Sequence, residues 1–313
     1  MQSRNYQAFY ALETTEEALQ ATVHYLAQQM QPFLEENEPV LICFPDLGEK
    51  SLGNLFYRAA ERCGAEPISW GPDYRWKQLL KLAFESKAKT VIGHPLILLG
   101  LMKLARATST PLYIYDVVMG GYPYTRWMMD GLKKGFDCRI WGCYSLLSGP
   151  IVTGFTCEQE AGFHIRGDIC RGITLNDQGQ PVFAPDRGRL YFVSRKDPQI
   201  VYDPEETAVM QYQPCSCGQE SFRIRYAQYI GQDDPSRVVL EEQFLAWSSV
   251  LDYRTVQTES GISLELVVFP GENLPKLPSC ARLNLRFWNP EEDIPFYIQD
   301  NFMKIPENNR EDH

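Results

Sequence analysis

Positive charge is scarce in this chain and nowhere concentrated. Thirty Lys and Arg stand against 40 Asp and Glu, a formal net charge of -10 over 313 residues, with no run of basic residues. That balance supplies no face suited to a phosphate backbone, so nucleic acid is not an expected partner. Long apolar runs are missing too. No stretch approaches the roughly 18 consecutive apolar residues of a membrane span, and the opening MQSRNYQAFYALETTEEAL has no apolar signal core, so a cytoplasmic protein with no membrane association is expected. There is no internal repeat, no low-complexity segment, and no Ser or Cys in a recognisable nucleophile elbow. Nine cysteines are an odd number, thinly spread, which argues against a disulfide framework and for reduced thiols.

What is present is a chain 44% hydrophobic, long enough to bury a sizeable core and to divide into one large and one small domain. From residue 14 to about 150, short apolar runs alternate with helical periodicity. A helix carrying Leu19, Val23, Leu26 and Met30 precedes the strand PVLICFP, and the helix SLGNLFYRAAERCG follows, with Gly64 as its C-terminal cap. PISW, TVIGHP, LYIYDVV and CRIWGCY read as further strands, separated by helices near 75–87, 95–107 and 124–135, the second opened by Pro95. The expected fold class is therefore α/β, a doubly wound and mainly parallel sheet, with ligands beyond the carboxyl ends of the strands. After Gly149 the period changes to two, in GFHIRGDI, RGITLNDQGQPVF and RGRLYFVSR, predicting an antiparallel β subdomain. From about 236 the chain reads RVVL, EEQFLAW, LDYRTVQT, ISLELVVFP, ARLNLRFW and PFYIQ, expected as a small α+β C-terminal domain. The domains are thus drawn at 1–234 and 235–313, with a frayed polar tail.

Two local groups stand out chemically. Cys157 and His164 lie in TCEQEAGFHI, and Cys215 and Cys217 in PCSCGQ, where Gly218 relieves the turn so that both sulfurs face one way. Together they would make a Cys₃His tetrahedral set suited to structural zinc. The alternative is that the cysteines are small core residues and His164 bonds a strand neighbour. Cys170 is a nearby substitute ligand, while Cys43, Cys63, Cys138, Cys143 and Cys280 sit in apolar contexts and read as core.

In linear order these features resemble the phenylacetate-CoA ligase branch of the AMP-forming adenylating superfamily. YSLLSGPIVTGFTCEQEAGFHI is similar to that family's Tyr-Gly-x-Thr-Glu motif and the Cys and His segment after it. In that register Tyr144 matches the adenine-stacking tyrosine, Ser145 replaces glycine, and Ser148 replaces the glutamate that helps hold magnesium and ATP. GGYPYT resembles the Gly-Glu-Pro-Trp-Thr loop beside the adenine and acyl pockets, with Gly120 and Gly121 retained and Tyr122 in place of glutamate. PQIVYDPEETA resembles the Ile-Arg-Tyr-Arg-Thr-Gly-Asp segment, with Tyr202 kept, Val201 for arginine, and Glu206 where the ribose-binding aspartate belongs. Cys215, Cys217 and Gly218 follow at the family's distance, which implies zinc on Cys157, His164, Cys215 and Cys217. Residues 2–7, QSRNYQ, stand where the family has its Gly-rich phosphate loop, and no glycine remains; Arg4 and Tyr6 would obstruct the cradle. The lid lysine has no convincing counterpart, since Lys304 lacks its glycine-rich context.

The resemblance implies ATP or AMP and CoA as cofactors, yet most groups that hold phosphates and magnesium are absent. Each lost preorganised donor typically costs about 10²- to 10³-fold in rate. The leading expectation is a non-catalytic, zinc-stabilised accessory protein that binds an acyl or aromatic carboxylate or pairs with an active relative. The second is an active AMP-forming acyl- or aryl-CoA ligase holding its nucleotide through Tyr144, Tyr202 and Glu206; the third is a scaffold with no ligand site. Elsewhere His94 is expected to cap the helix after it, and Tyr10, Trp70, Tyr74 and Trp76 to be core.

Overall fold

The computed structural model describes residues 2–121, 126–146, 150–159, 162–229, 247–258, 261–270 and 282–303. Residues 230–246, which hold the strand RVVL, most of the helix EEQFLAW and the expected boundary at 234/235, lie outside the described residues. So do Tyr122, Ser148, Cys280 and Lys304.

Helices α1 (Gln2–Glu13) and α2 (Glu16–Met30) lead into β1 (Pro39–Ile42), α3 (Leu52–Arg62), β2 (Glu66–Ser69), α4 (Trp76–Ser86), β3 (Thr90–Gly93), α5 (Pro95–Ala107), β4 (Asp116–Met119), α6 (Arg126–Phe136) and β5 (Arg139–Ser145). The five strands are parallel in the order β5-β4-β3-β1-β2, so direction reverses between β1 and β3 as a doubly wound sheet requires. Side-chain caps open three of these helices, that of His94 as expected from the sequence. Thr15 Oγ1 accepts the Ala18 N–H at 3.3 Å, Ser51 Oγ that of Asn54 at 3.2 Å, and His94 Nδ1 that of Leu96 at 3.2 Å ahead of Pro95. Gly64 has φ +81°, the left-handed conformation expected of it.

Strand periodicity divides the core in two. Val40, Ile42, Ile92 and Val118 face α2 and α3, where Leu26, Leu55 and Phe56 are buried. Their neighbours Leu41, Val91 and Val117 face α4, α5 and α6, among Trp76, Leu98 and Leu132.

Beyond β5 the same sheet continues antiparallel through β6 (Val152–Thr156), β7 (Phe163–Ile165), β8 (Cys170–Leu175), β9 (Gly188–Ser194), β10 (Val201–Tyr202), β11 (Glu206–Gln211) and β12 (Arg223–Tyr229). The full 12-stranded order is β10-β9-β11-β12-β7-β6-β5-β4-β3-β1-β2, with β8 on β9. The antiparallel part is not a detached module: β5 and β6 pair through Cys143 and Phe155. A second sheet joins β13 (Val250–Thr258) antiparallel to β14 (Gly261–Val268), and β14 parallel to β15 (Arg282–Phe287). The run PFYIQ opens α7 (Phe296–Phe302), because Pro295 takes the N-cap position and Asp252 accepts the Phe296 N–H at 2.7 Å. Val250, Leu251, Leu264 and Leu266 share one hydrophobic cluster with the α4–α5–α6 layer, and the Trp76 N–H donates to Asp293 O at 3.0 Å.

One expectation is corrected at the N-terminus. Residues 2–7, expected to stand as a remnant loop, are the first turns of helix α1. Without glycine, nothing in QSRNYQ favours a loop over the helix that the following AFYALE continues.

Gly100 tests the packing of this layer. A Cβ there would lie 2.1 Å from Trp76 Cη2, and the ring is fully buried and cannot swing away. In an open helix Gly→Ala would stabilise by about 1 kcal/mol. Here overpacking of roughly 1–3 kcal/mol opposes it, so Gly100→Ala lowers the thermal midpoint, and an unchanged or raised midpoint contradicts the packing described.

Candidate metal centre

Strand pairing assembles this site from three chain segments. Cys157 immediately follows β6 and His164 is the middle residue of β7, with Phe155 paired to His164 across the two strands. On its other side β7 pairs with β12, Arg223 opposite His164, so the loop between β11 and β12 returns beside the histidine. That loop carries Cys215 and Cys217 in a tight turn: the Gly218 N–H donates to Cys215 O at 3.0 Å, with Gly218 at φ +86°. Arg166, one residue beyond β7, is buried and holds the strands against α2. Its guanidinium donates to Thr22 Oγ1 at 2.9 Å and Val152 O at 3.3 Å, pairs with Asp168 at 2.7 Å, and lies 4.7 Å over the Tyr25 ring.

The donor atoms of Cys157, His164, Cys215 and Cys217 all lie within 4.8 Å of one another. Cys157 Sγ and Cys215 Sγ are 3.7 Å apart, and Cys217 Sγ is 3.5 Å from His164 Nε2. A tetrahedral ion with thiolate bonds near 2.3 Å and an imidazole bond near 2.0–2.1 Å requires edges of roughly 3.8 Å between sulfurs and roughly 3.5 Å from sulfur to nitrogen. These two spacings match those edges, so the four side chains form a donor set able to hold a metal ion. Three of the four are buried and Cys217 is exposed. His164 is aimed by its other nitrogen, Nδ1 lying 2.9 Å from Ser221 Oγ, which leaves Nε2 toward the sulfurs. Burial, and then the Arg223 charge, hold the imidazole at about 4, in the neutral form that ligates. Burial pushes the Cys157 thiol up to about 11, whereas hydrogen bonds from the Cys217 segment outweigh burial at Cys215 and lower it. Three thiolates on a divalent ion leave one negative charge in excess, and Arg223 is placed to offset it.

Cys170 does not join the cluster; as a β8 residue its sulfur lies 3.9 Å from Arg166 O. Cys43, Cys63 and Cys143 are buried and Cys138 is partly buried, as their apolar contexts predict. Ser221 and Arg166 were not singled out in the sequence. Nothing in QESF marks a serine as the histidine's orienting partner, because that contact exists only once β12 lies beside β7.

The residues that the resemblance ties to a nucleotide fall in two places. Gly120 and Gly121 directly follow β4, where a Cβ on Gly120 would meet Cys143 O at 3.0 Å, and Gly121 has φ +72° against Phe44. Tyr144, Tyr202 and Glu206 share the core of the antiparallel part, and the Tyr144 hydroxyl donates to Glu206 Oε2 at 2.6 Å. Phe9 of α1 is fully buried in the same cluster, its ring 6.1 Å from that of Tyr202. Phe163 and Phe192 lie 5.4 and 5.9 Å from Tyr144. The helix is tied down by Lys196, whose Nζ donates to Leu12 O at 2.9 Å.

No family model matches the sequence, and no curated protein matches it. Solved structures do. A 2-hydroxyisobutyryl-CoA ligase in the postadenylation state, in complex with 2-HIB-AMP, superposes with a TM-score of 0.64 at 14% identity, over 88% of this chain and 67% of its own. A benzoate CoA ligase from Burkholderia xenovorans LB400 gives 0.55 at 12% identity, over 85% and 62%. An anthranilate CoA ligase in complex with anthranoyl-AMP gives 0.52 at 11%, over 85% and 59%. At such identities the likeness shows the fold, and the chain has the fold of adenylate-forming CoA ligases. It spans 52% to 67% of the length of the 2-hydroxyisobutyryl-CoA ligase structures.

Burial pushes the Glu206 carboxyl up to about 7, the Tyr144 hydrogen bond opposing. The folded protein therefore holds a proton there that the unfolded chain, with its ordinary value of 4.5, has lost. The stability this contributes is complete below 4.5 and is lost as pH rises to about 7. Glu206→Gln flattens that part of the stability profile and raises stability at pH 8 by roughly 1–3 kcal/mol. Urea titrations of both proteins at pH 5 and pH 8 check this, and a variant no more stable at pH 8 than the parent contradicts it.

Proposed function

We propose that this protein is a degenerate member of the phenylacetate-CoA ligase-like branch, a zinc-stabilised and non-catalytic accessory or ligand-binding protein of the cytoplasm. The observation that carries the reading is the course of residues 2–13. Where an adenylating enzyme of that branch needs a Gly-rich loop, this chain has a helix, and that helix seats Phe9 against Tyr202 in the cluster that contains Tyr144, the partner of Glu206. Only the first four amides of that helix stay free of its ladder; those from Tyr6 onward are committed to it, and Phe9 fills the space beside Tyr202. The Tyr144 hydroxyl is committed to Glu206, so neither group faces an open nucleotide cleft.

Zinc suits the remaining chemistry. Three soft thiolates and one imidazole at tetrahedral spacing are a closed structural set with no position left for water. The ion would join the ends of β6, β7 and the β11–β12 loop, Cys157 and Cys215 being 58 residues apart along the chain and His164 and Cys217 53. Pairing with an active relative is part of the proposal. A second reading, an active AMP-forming acyl- or aryl-CoA ligase, draws support from the convergence of Tyr144, Tyr202 and Glu206.

Native mass spectrometry of the purified protein is expected to show one zinc per chain. Cys215→Ser and His164→Ala are expected to lose it and to unfold several kcal/mol more easily, since ligation energy is folding energy at such sites. A metal-free parent of unaltered stability contradicts the zinc assignment. Separately, ATP–pyrophosphate exchange across a panel of aryl and acyl acids is expected to stay at background; exchange above background establishes the ligase reading in its place.

A further inference from the structure

The last two turns of α5 and the facing side of α6 enclose a cavity of about 480 Å³ where the segment entering β13 passes, within the range of roughly 300–1,000 Å³ of small-molecule sites. It shares no lining residue with the metal cluster or with the Tyr144 core. Leu99 and Met102 are buried in its wall, and the half-buried indole of Trp127 forms a second apolar surface. Lys103 lines the same wall and is only 6% exposed. Arg106 and Lys134 line it on the exposed side, with Asp130 as the carboxylate among the described lining residues.

A lysine at this position has a structural use, since its Nζ donates to Val250 O at 2.8 Å and so ties β13 to α5. That use does not require a cavity. A buried ammonium costs free energy unless charge or hydrogen bonds compensate it, and burial lowers this one to about 7, with the Asp252 charge opposing. Side chains packed around it would serve the tether; open space beside it, apolar on one side and cationic on the other, serves an anion. A phosphate-like dianion would meet Asp130 and leave the apolar walls uncovered, whereas a single carboxylate on an apolar body uses both surfaces.

We propose that this cavity binds a small organic carboxylate with an aromatic or branched apolar body, its carboxylate paired with Lys103 and Arg106 and its body lying against Met102 and Trp127. The site is separate from the one the ligase resemblance implies, and its outcome does not depend on zinc or on adenylation.

Benzoate and its uncharged counterpart benzamide, titrated into the full chain by calorimetry and by NMR of the tryptophan indole signals, test it. Benzoate is expected to bind and to shift the Trp127 indole N–H, assigned with Trp127→Phe, and benzamide to bind about tenfold or more weakly. Lys103→Met is expected to weaken benzoate by at least about tenfold. Because that substitution also removes the tether to Val250, Arg106→Gln and the cavity-filling Gly131→Leu are made beside it, each checked for an unchanged fold by circular dichroism; Arg106→Gln weakens binding and Gly131→Leu abolishes it. Failure of benzoate to bind at millimolar concentration, equal binding of benzamide, or binding that survives Gly131→Leu without a Trp127 shift overturns the proposal.

Discussion

The pairing of β7 between β6 and β12 is the constraint on which the rest depends. His164 sits opposite Phe155 on one side and Arg223 on the other, so one three-residue strand sets both the distance to Cys157 and the return path of the Cys215–Cys217 loop. A slip of one residue would turn His164 to the opposite face of the sheet and separate the donors. The buried Arg166 guanidinium resists that slip, since it bonds β6, α2 and the Asp168 turn at once and would leave several unsatisfied groups if displaced. An ion joining three segments would reinforce an arrangement that hydrogen bonds have already specified.

The donor set shares no residue with the buried cluster of Tyr144 and Tyr202. It joins the β6, β7 and β11–β12 loop segments, whereas Tyr144 and Tyr202 share their cluster with Phe9, Leu190 and Phe192, and Glu206 is buried beside Tyr144. Filling that cluster from α1 stabilises the subdomain through burial of apolar area. It also surrounds Glu206, whose carboxyl burial pushes up to about 7 while the Tyr144 hydroxyl donates to it. The same residues thus read differently by position in a motif and by their neighbours in space.

Helix start signals, strand periodicity and the doubly wound order were legible because each is local: His94 and Pro95 act on backbone within four residues of themselves. The four candidate donors were legible as two short groups whose residue types have few other common uses together. Phe9 was not, since one phenylalanine in QAFYALE carries no mark of the strand it will meet some 190 residues later. Lys103 was hidden for the same reason, as PLILLGLMKLARA shows a lysine on an apolar helix but not the carbonyl of Val250 that receives it.

Taken alone, the order of residues determined the elements, their alternation, the change from period 3.6 to period 2 near residue 150, and the four donors a metal would need. Tertiary structure decided that those donors converge, that residues 2–13 form a helix entering the core instead of a loop open to phosphate, and that a buried lysine borders a cavity. The division follows from range. Propensity and capping act within a few residues, while burial and electrostatic environment are properties of surfaces that exist only after distant segments have met.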